Sequence, residues 1–118
     1  MADMYWLVAV VRPAAVEAVR SELLEIGCVA MTVTECTGFG RQHGKVEVYR
    51  GTEYRVEFLP KARIEVGCTK GELAQALEAI TRGARSPDGG KIGDGKIFVF
   101  DLQDAVRIRT GETQRDAL

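Results

Sequence analysis

Two strand–helix–strand patterns follow one another along this chain, and that repetition limits the possible folds more than any other feature. Residues 4–11 (MYWLVAVV) are almost wholly apolar, as in a strand covered on both faces. Pro13 suits the first turn of a helix. Val16, Val19, Leu23 and Ile26 then recur at helical spacing and make one apolar stripe. Gly27 is a natural helix stop. Residues 30–36 (AMTVTEC) are rich in β-branched types and read as a second strand. The plan then repeats. Ala62, Ile64, Val66 and Cys68 alternate with Lys61, Arg63, Glu65 and Gly67, which predicts a strand with one face buried. Thr69 to Glu72 spells T-x-x-E, a capping box that opens a helix. Leu73, Ala76, Leu77, Ile80 and Ala84 form that helix's stripe, and residues 96–102 (KIFVFDL) read as the last strand. Two consecutive βαβ units predict an α+β, ferredoxin-like sandwich, an antiparallel sheet with both helices on one face. The halves share a pattern and no strong sequence identity.

Composition narrows the function classes. The 118 residues fit one domain, 1–118, and 46% hydrophobic content supports a modest core. Domains of this size often gain stability by associating with copies of themselves. A net charge of -1 gives no electrostatic footprint for nucleic acid or an anionic membrane. No apolar run is long enough to cross a bilayer, and the start, Met-Ala-Asp-Met-Tyr-Trp, lacks the features of a signal peptide, so a cytoplasmic location is expected. Cys28, Cys36 and Cys68 are odd in number and have no CxxC spacing, which argues against a disulfide framework and a zinc site. They read as small buried hydrophobes in a reducing compartment.

Chemistry concentrates in the connections. Residues 37–55 (TGFGRQHGKVEVYRGTEYR) predict a loop longer than compact domains tolerate without a reason. Residues 85–95 (RSPDGGKIGDG) predict a glycine-rich loop between helix and strand, and residues 111–118 a fraying end. In GGKIGDGK, residues 89–96, glycines near Lys96 offer backbone N–H groups and a charge to an anion. A flexible turn is the equal alternative. The Walker pattern is not met, because Ile97 follows Lys96 where a magnesium-holding Ser or Thr is needed. Arg107 and Arg109, in VRIRTGE (106–112), point the same way in extended chain and can grip phosphate or pair with carboxylates; alone they read as a solvated basic edge. TGFGRQ, residues 37–42, places glycines beside Arg41 and Gln42.

Taken together, TVTECTGFGRQHGKVEVYRGTEY, FLPK, GGKIGDGKIFVFDL and VRIRTGE, in this order and spacing, closely resemble the PII signal-transduction family over roughly residues 4–112. The resemblance implies a homotrimer with nucleotide held in clefts between neighbouring subunits. It implies that ATP and ADP compete there, that Mg2+-ATP creates the 2-oxoglutarate site, and that a mobile T-loop (about 37–55) reports the bound state to partner proteins. The other segments it implies are a B-loop (about 85–95) and a C-terminal nucleotide-binding segment (about 104–118). Among positions matching the motifs, it assigns nucleotide binding to Thr32, Gly38, Gly40, Arg41, Gly90, Gly93, Asp94, Gly95, Lys96, Arg107 and Arg109. It assigns 2-oxoglutarate binding to Gln42, Lys61 and Gly93, and the metal contact to Gln42. Tyr54 stands where some bacterial members are uridylylated, and Arg50 where an arginine enters ammonium channels. Thr52 stands at a cyanobacterial phosphoserine position, and His43 has no role that the family requires.

Implied partners are an ammonium transporter or other membrane transporter, the adenylyltransferase of glutamine synthetase, or a uridylyltransferase. Through a transporter, the protein would be recruited to the membrane. The chain departs from the family pattern through Ser86, Pro87 and Asp88, which lengthen the B-loop just before its phosphate cradle. Asp88 either weakens phosphate binding by its charge or bulges outward. The expectation is a regulator, not an enzyme. A divergent member that senses adenylate energy state or another small ligand, and controls a non-ammonium transporter or an enzyme, is the alternative. A phosphoryl-transfer enzyme lacks its magnesium residue after Lys96. An RNA-binding module lacks the Gly-Phe-Gly that should precede KIFVF, and the chain is acidic.

Overall fold

The computed structural model describes residues 3–43 and 54–118; for 40–43 and 54–57 it describes the backbone alone. Four strands, β1 (Met4–Val11), β2 (Met31–His43), β3 (Tyr54–Thr69) and β4 (Gly95–Asp101), form one antiparallel sheet in the order β2-β3-β1-β4. Two helices, α1 (Val16–Glu25) and α2 (Leu73–Ala84), cross between them. This is the α+β, ferredoxin-like arrangement expected from the duplicated pattern.

Register explains which face is buried. Leu7 lies opposite Val66, Ala9 opposite Ile64 and Val11 opposite Ala62, so these side chains share one face. They join Val19 and Leu23 of α1 and Ala76, Ile80 and Ala84 of α2 in a single core. The capping box is formed: the Thr69 N–H donates to the Glu72 carboxylate at 2.9 Å, and it opens a 3-10 turn (Lys70–Glu72) leading into α2. Pro13 begins a similar turn before α1, and Gly27 follows that helix at φ +79.

The opposite face of β1 is also apolar. Met4 and Val8 are buried there within one subunit, while Trp6 and Val10 are half-buried beside the exposed Phe98 and Phe100 of β4. Leu118, at the other end of the chain, reaches back over Gly67 beside Trp6.

The loop expected over 37–55 is narrower than its sequence implies. Thr37 to His43 pair with Pro60 to Tyr54, so β2 and β3 run on as a two-stranded ribbon. Glycines at 38 and 40 lower strand propensity, but cross-strand pairing overrides it. Ring stacking of Phe39 on Phe58, with centroids 4.3 Å apart, adds to that pairing.

Candidate functional site

The glycine-rich segment between α2 and β4 takes its shape from one carboxylate. Asp94 accepts hydrogen bonds from the Ser86 hydroxyl, the Ser86 N–H (2.9 Å) and the Lys91 N–H (2.8 Å). The Arg12 Nε lies 3.4 Å from the same carboxylate. Burial alone would raise this carboxyl; the Ser86 and Lys91 donors and the Arg12 charge outweigh it and hold Asp94 down to about 2. Asp94 thus draws the two ends of the segment together. Between them, Pro87, Asp88 and Gly89 form an exposed turn closed by the Gly90 N–H donating to the Ser86 carbonyl at 3.1 Å. Asp88 is exposed in this turn, one of the two outcomes expected for it, whereas Ser86 is buried against Asp94.

Gly93 and Gly95 flank Asp94 at φ +99 and +114, a backbone region that side chains avoid. A Cβ on Gly95 would also overlap the Val10 carbonyl oxygen, so β4 leaves the loop in close contact with β1. Lys61 reaches across from β3 and its Nζ donates to the Gly93 carbonyl at 3.1 Å. A lysine ammonium carries three donors, so this bond leaves others for a carboxylate or phosphate.

These groups border a cleft of about 400 Å³ at the end of the sheet. Val10, Phe39, Ile92 and Phe98 give it an apolar wall, and Lys61 and Lys96, beside Gly93 and Gly95, give it a basic side. One wall suits a flat base and the other an anion. Of the residues assigned from sequence, Gly38, Lys61, Gly93, Gly95 and Lys96 converge here.

Others do not converge within one subunit. Asp94 faces Ser86, Lys91 and Arg12, and Gly90 packs against Asp94 and Arg85 inside the loop. Thr32 pairs with Glu65, roughly 20 Å along β2 from Gly38 at the usual rise per residue. Arg107 sits in a C-terminal hairpin, 3.4 Å from the Glu112 carboxylate and donating to the Leu118 carbonyl at 3.4 Å; Arg109 is exposed beside it. Gly40, Arg41 and Gln42 occupy the rungs of β2 opposite Glu57, Val56 and Arg55, and Tyr54 opens β3 opposite His43. Arg50 and Thr52 lie outside the described residues. Sequence reasoning missed Arg12 and Ser86. Neither belongs to a periodic pattern, and the contact between Arg12 and Asp94 joins distant parts of the chain.

Among the described residues, no group of three or more His, Cys, Asp or Glu could hold a metal ion, and no helix is long and apolar enough to cross a membrane.

Comparison with known proteins places this geometry. The family described as nitrogen regulatory protein P-II matches residues 4–112. The chain is 49% identical over 110 residues to the nitrogen regulatory protein P-II of Pasteurella multocida, covering 93% of this chain and 96% of that one. It is 48% identical over 110 residues to nitrogen regulatory protein P-II 1 of Escherichia coli, covering 93% and 96%. Among solved structures it is similar to the GlnK–ATP complex of B. subtilis, with a TM-score of 0.79 and 34% identity over 98% of both chains. It is similar also to Arabidopsis thaliana PII bound to citrate, with a TM-score of 0.80 and 34% identity over 99% of this chain and 94% of that one. The chain belongs to the nitrogen regulatory P-II family.

Proposed function

We propose that this chain is a nucleotide-responsive regulator. ATP and ADP compete for the cleft beside the glycine-rich loop, 2-oxoglutarate joins Mg2+-ATP there, and the segment between β2 and β3 carries the result to an enzyme or transporter of nitrogen metabolism. The observation that carries this reading is the meeting of Lys61, Lys96 and the Gly93–Gly95 backbone with an aromatic wall in one cleft. A B. subtilis relative was solved with ATP and an Arabidopsis relative with citrate, which supports a site that takes phosphates and small carboxylates.

In this reading Lys61 pairs with a carboxylate of 2-oxoglutarate through the donors that Gly93 leaves free. Gln42 supplies the protein oxygen to magnesium, and ligand oxygens supply the rest. The subunits form a homotrimer. Thr32, Arg107 and Arg109 stand outside the cleft of their own subunit, so a second copy would bring such groups to it. The apolar face around Trp6 and Phe100 would be covered in the same assembly. The protein acts by changing shape, without catalysis, in the cytoplasm or at a membrane where a transporter recruits it.

Calorimetric titration tests the reading. With ATP and magnesium present, 2-oxoglutarate gives binding heat; without nucleotide it gives none; and Lys61→Ala abolishes the 2-oxoglutarate heat while ATP still binds. If ATP binds but 2-oxoglutarate never does, the chain is instead a divergent sensor of adenylate state. If neither binds, the cleft is not a nucleotide site.

A further inference from the structure

An acidic residue inside an anion-binding loop needs an explanation. Asp94 stands directly between Gly93 and Gly95, the two glycines that border the cleft, and one residue before Lys96. A carboxylate at that position shapes the loop through Ser86 and Lys91, but its charge opposes any phosphate held alongside. The cation that ion-pairs with it is Arg12, from the turn between β1 and α1. The Arg12 Nε is buried 3.4 Å from Asp94, and a terminal nitrogen donates to the Ala84 carbonyl at 3.0 Å. Ala84 is the last residue of α2, where helix carbonyls lack intrahelical partners. One guanidinium therefore ties three elements together: the end of β1, the end of α2 and the loop. Its planar fork allows this, whereas a lysine ammonium is a point charge on a flexible stem. Arg85 and Lys96 border the cavity behind the loop, next to Asp94.

We propose that Arg12 is a positioning residue for nucleotide binding: it clamps Asp94, and with it the Gly93–Gly95 backbone, against the end of α2, and cancels the carboxylate's charge beside the bound phosphates. This rests on the nucleotide reading above. Arg12 does not border the cleft and acts only through Asp94. Ser86 and Asp94 are pinned to each other, so Pro87, Asp88 and Gly89 turn outward between them without displacing the Gly93–Gly95 backbone.

The test compares ATP with adenosine, which has the base and ribose but no phosphate. Wild type, Arg12→Met, Arg12→Lys and the double variant Arg12→Met/Asp94→Asn are titrated with each, and thermal unfolding is recorded for all. The expected result is that Arg12→Met weakens ATP about 10-fold, equivalent to about 1.4 kcal/mol, and leaves adenosine within about two-fold. Arg12→Lys restores part of the ATP affinity. The double variant binds ATP more tightly than Arg12→Met, because the unpaired negative charge is gone. Equal weakening of ATP and adenosine would overturn the proposal, since Arg12 would then support only the fold. Unchanged ATP affinity in Arg12→Met would overturn it too. Should Arg12→Met fail to fold, Arg12→Lys carries the same comparison. If wild type binds neither ligand, the nucleotide reading itself falls, and the proposal with it.

Discussion

At the scale of single residues, the candidate site is governed by two carbonyls and one carboxylate that sequence patterns do not display. Lys61 and Lys96 were legible, because glycine-rich sequence beside a lysine signals anion binding and FLPK belongs to a family motif. Asp94 was assigned to the same site, yet its carboxylate serves the loop's interior. Its acidity gives a direct check. The folded carboxyl sits at about 2, below the ordinary aspartate value of 3.8. Ionised Asp94 therefore stabilises the folded loop fully above pH 3.8, and that contribution disappears as pH falls through about 2. Titration of the Asp94 carboxyl by carbon NMR in the folded protein is expected to show the low midpoint, and in Ser86→Ala the midpoint rises because a donor to the charged form is lost. A wild-type midpoint near 3.8 would mean the loop is not held as described.

At the scale of elements, the helix stripes and strand alternations were readable because burial enforces a fixed period. Element lengths were less so. The ribbon of β2 and β3 extends past the glycines at 38 and 40 because each strand supplies the other's hydrogen-bond partners, a long-range condition absent from a local window. Gly83 shows the same limit. Propensity alone favours alanine over glycine inside a helix by up to about 1 kcal/mol. In the structure a Cβ there would stand 2.7 Å from the Val19 backbone of α1. Backbone cannot swing aside as a flexible side chain can, so the clash outweighs the propensity gain. Gly83→Ala is expected to destabilise the protein by about 1–3 kcal/mol, read as a lower urea midpoint with little change in slope. A stabilised variant would show that α1 and α2 do not approach so closely.

At the scale of the whole molecule, β1 is apolar on both faces, but one subunit covers only one of them completely. Leu7, Ala9 and Val11 lie under the helices, while Phe100 stays 52% exposed on the far side. Phe100→Asp is expected to leave the subunit folded, because the side chain is half in solvent already, and to convert the proposed trimer to single subunits in sedimentation velocity. ATP affinity should fall along with association, since the arginine hairpin would no longer reach a neighbouring cleft. A variant that remains trimeric would place the subunit contact elsewhere.

The sequence by itself determined the order of elements, the core faces and the place of the glycine-rich loop that borders the candidate cleft. Each of these depends on local periodicity, on a short motif, or on a turn residue whose conformation is intrinsic. Tertiary structure alone decided that the expected long loop begins as a paired ribbon, that Lys61 bonds the Gly93 carbonyl, and that Arg12 holds Asp94. These are contacts between residues far apart in the chain. No local preference encodes such a contact, because its energy exists only after the sheet has brought the partners together.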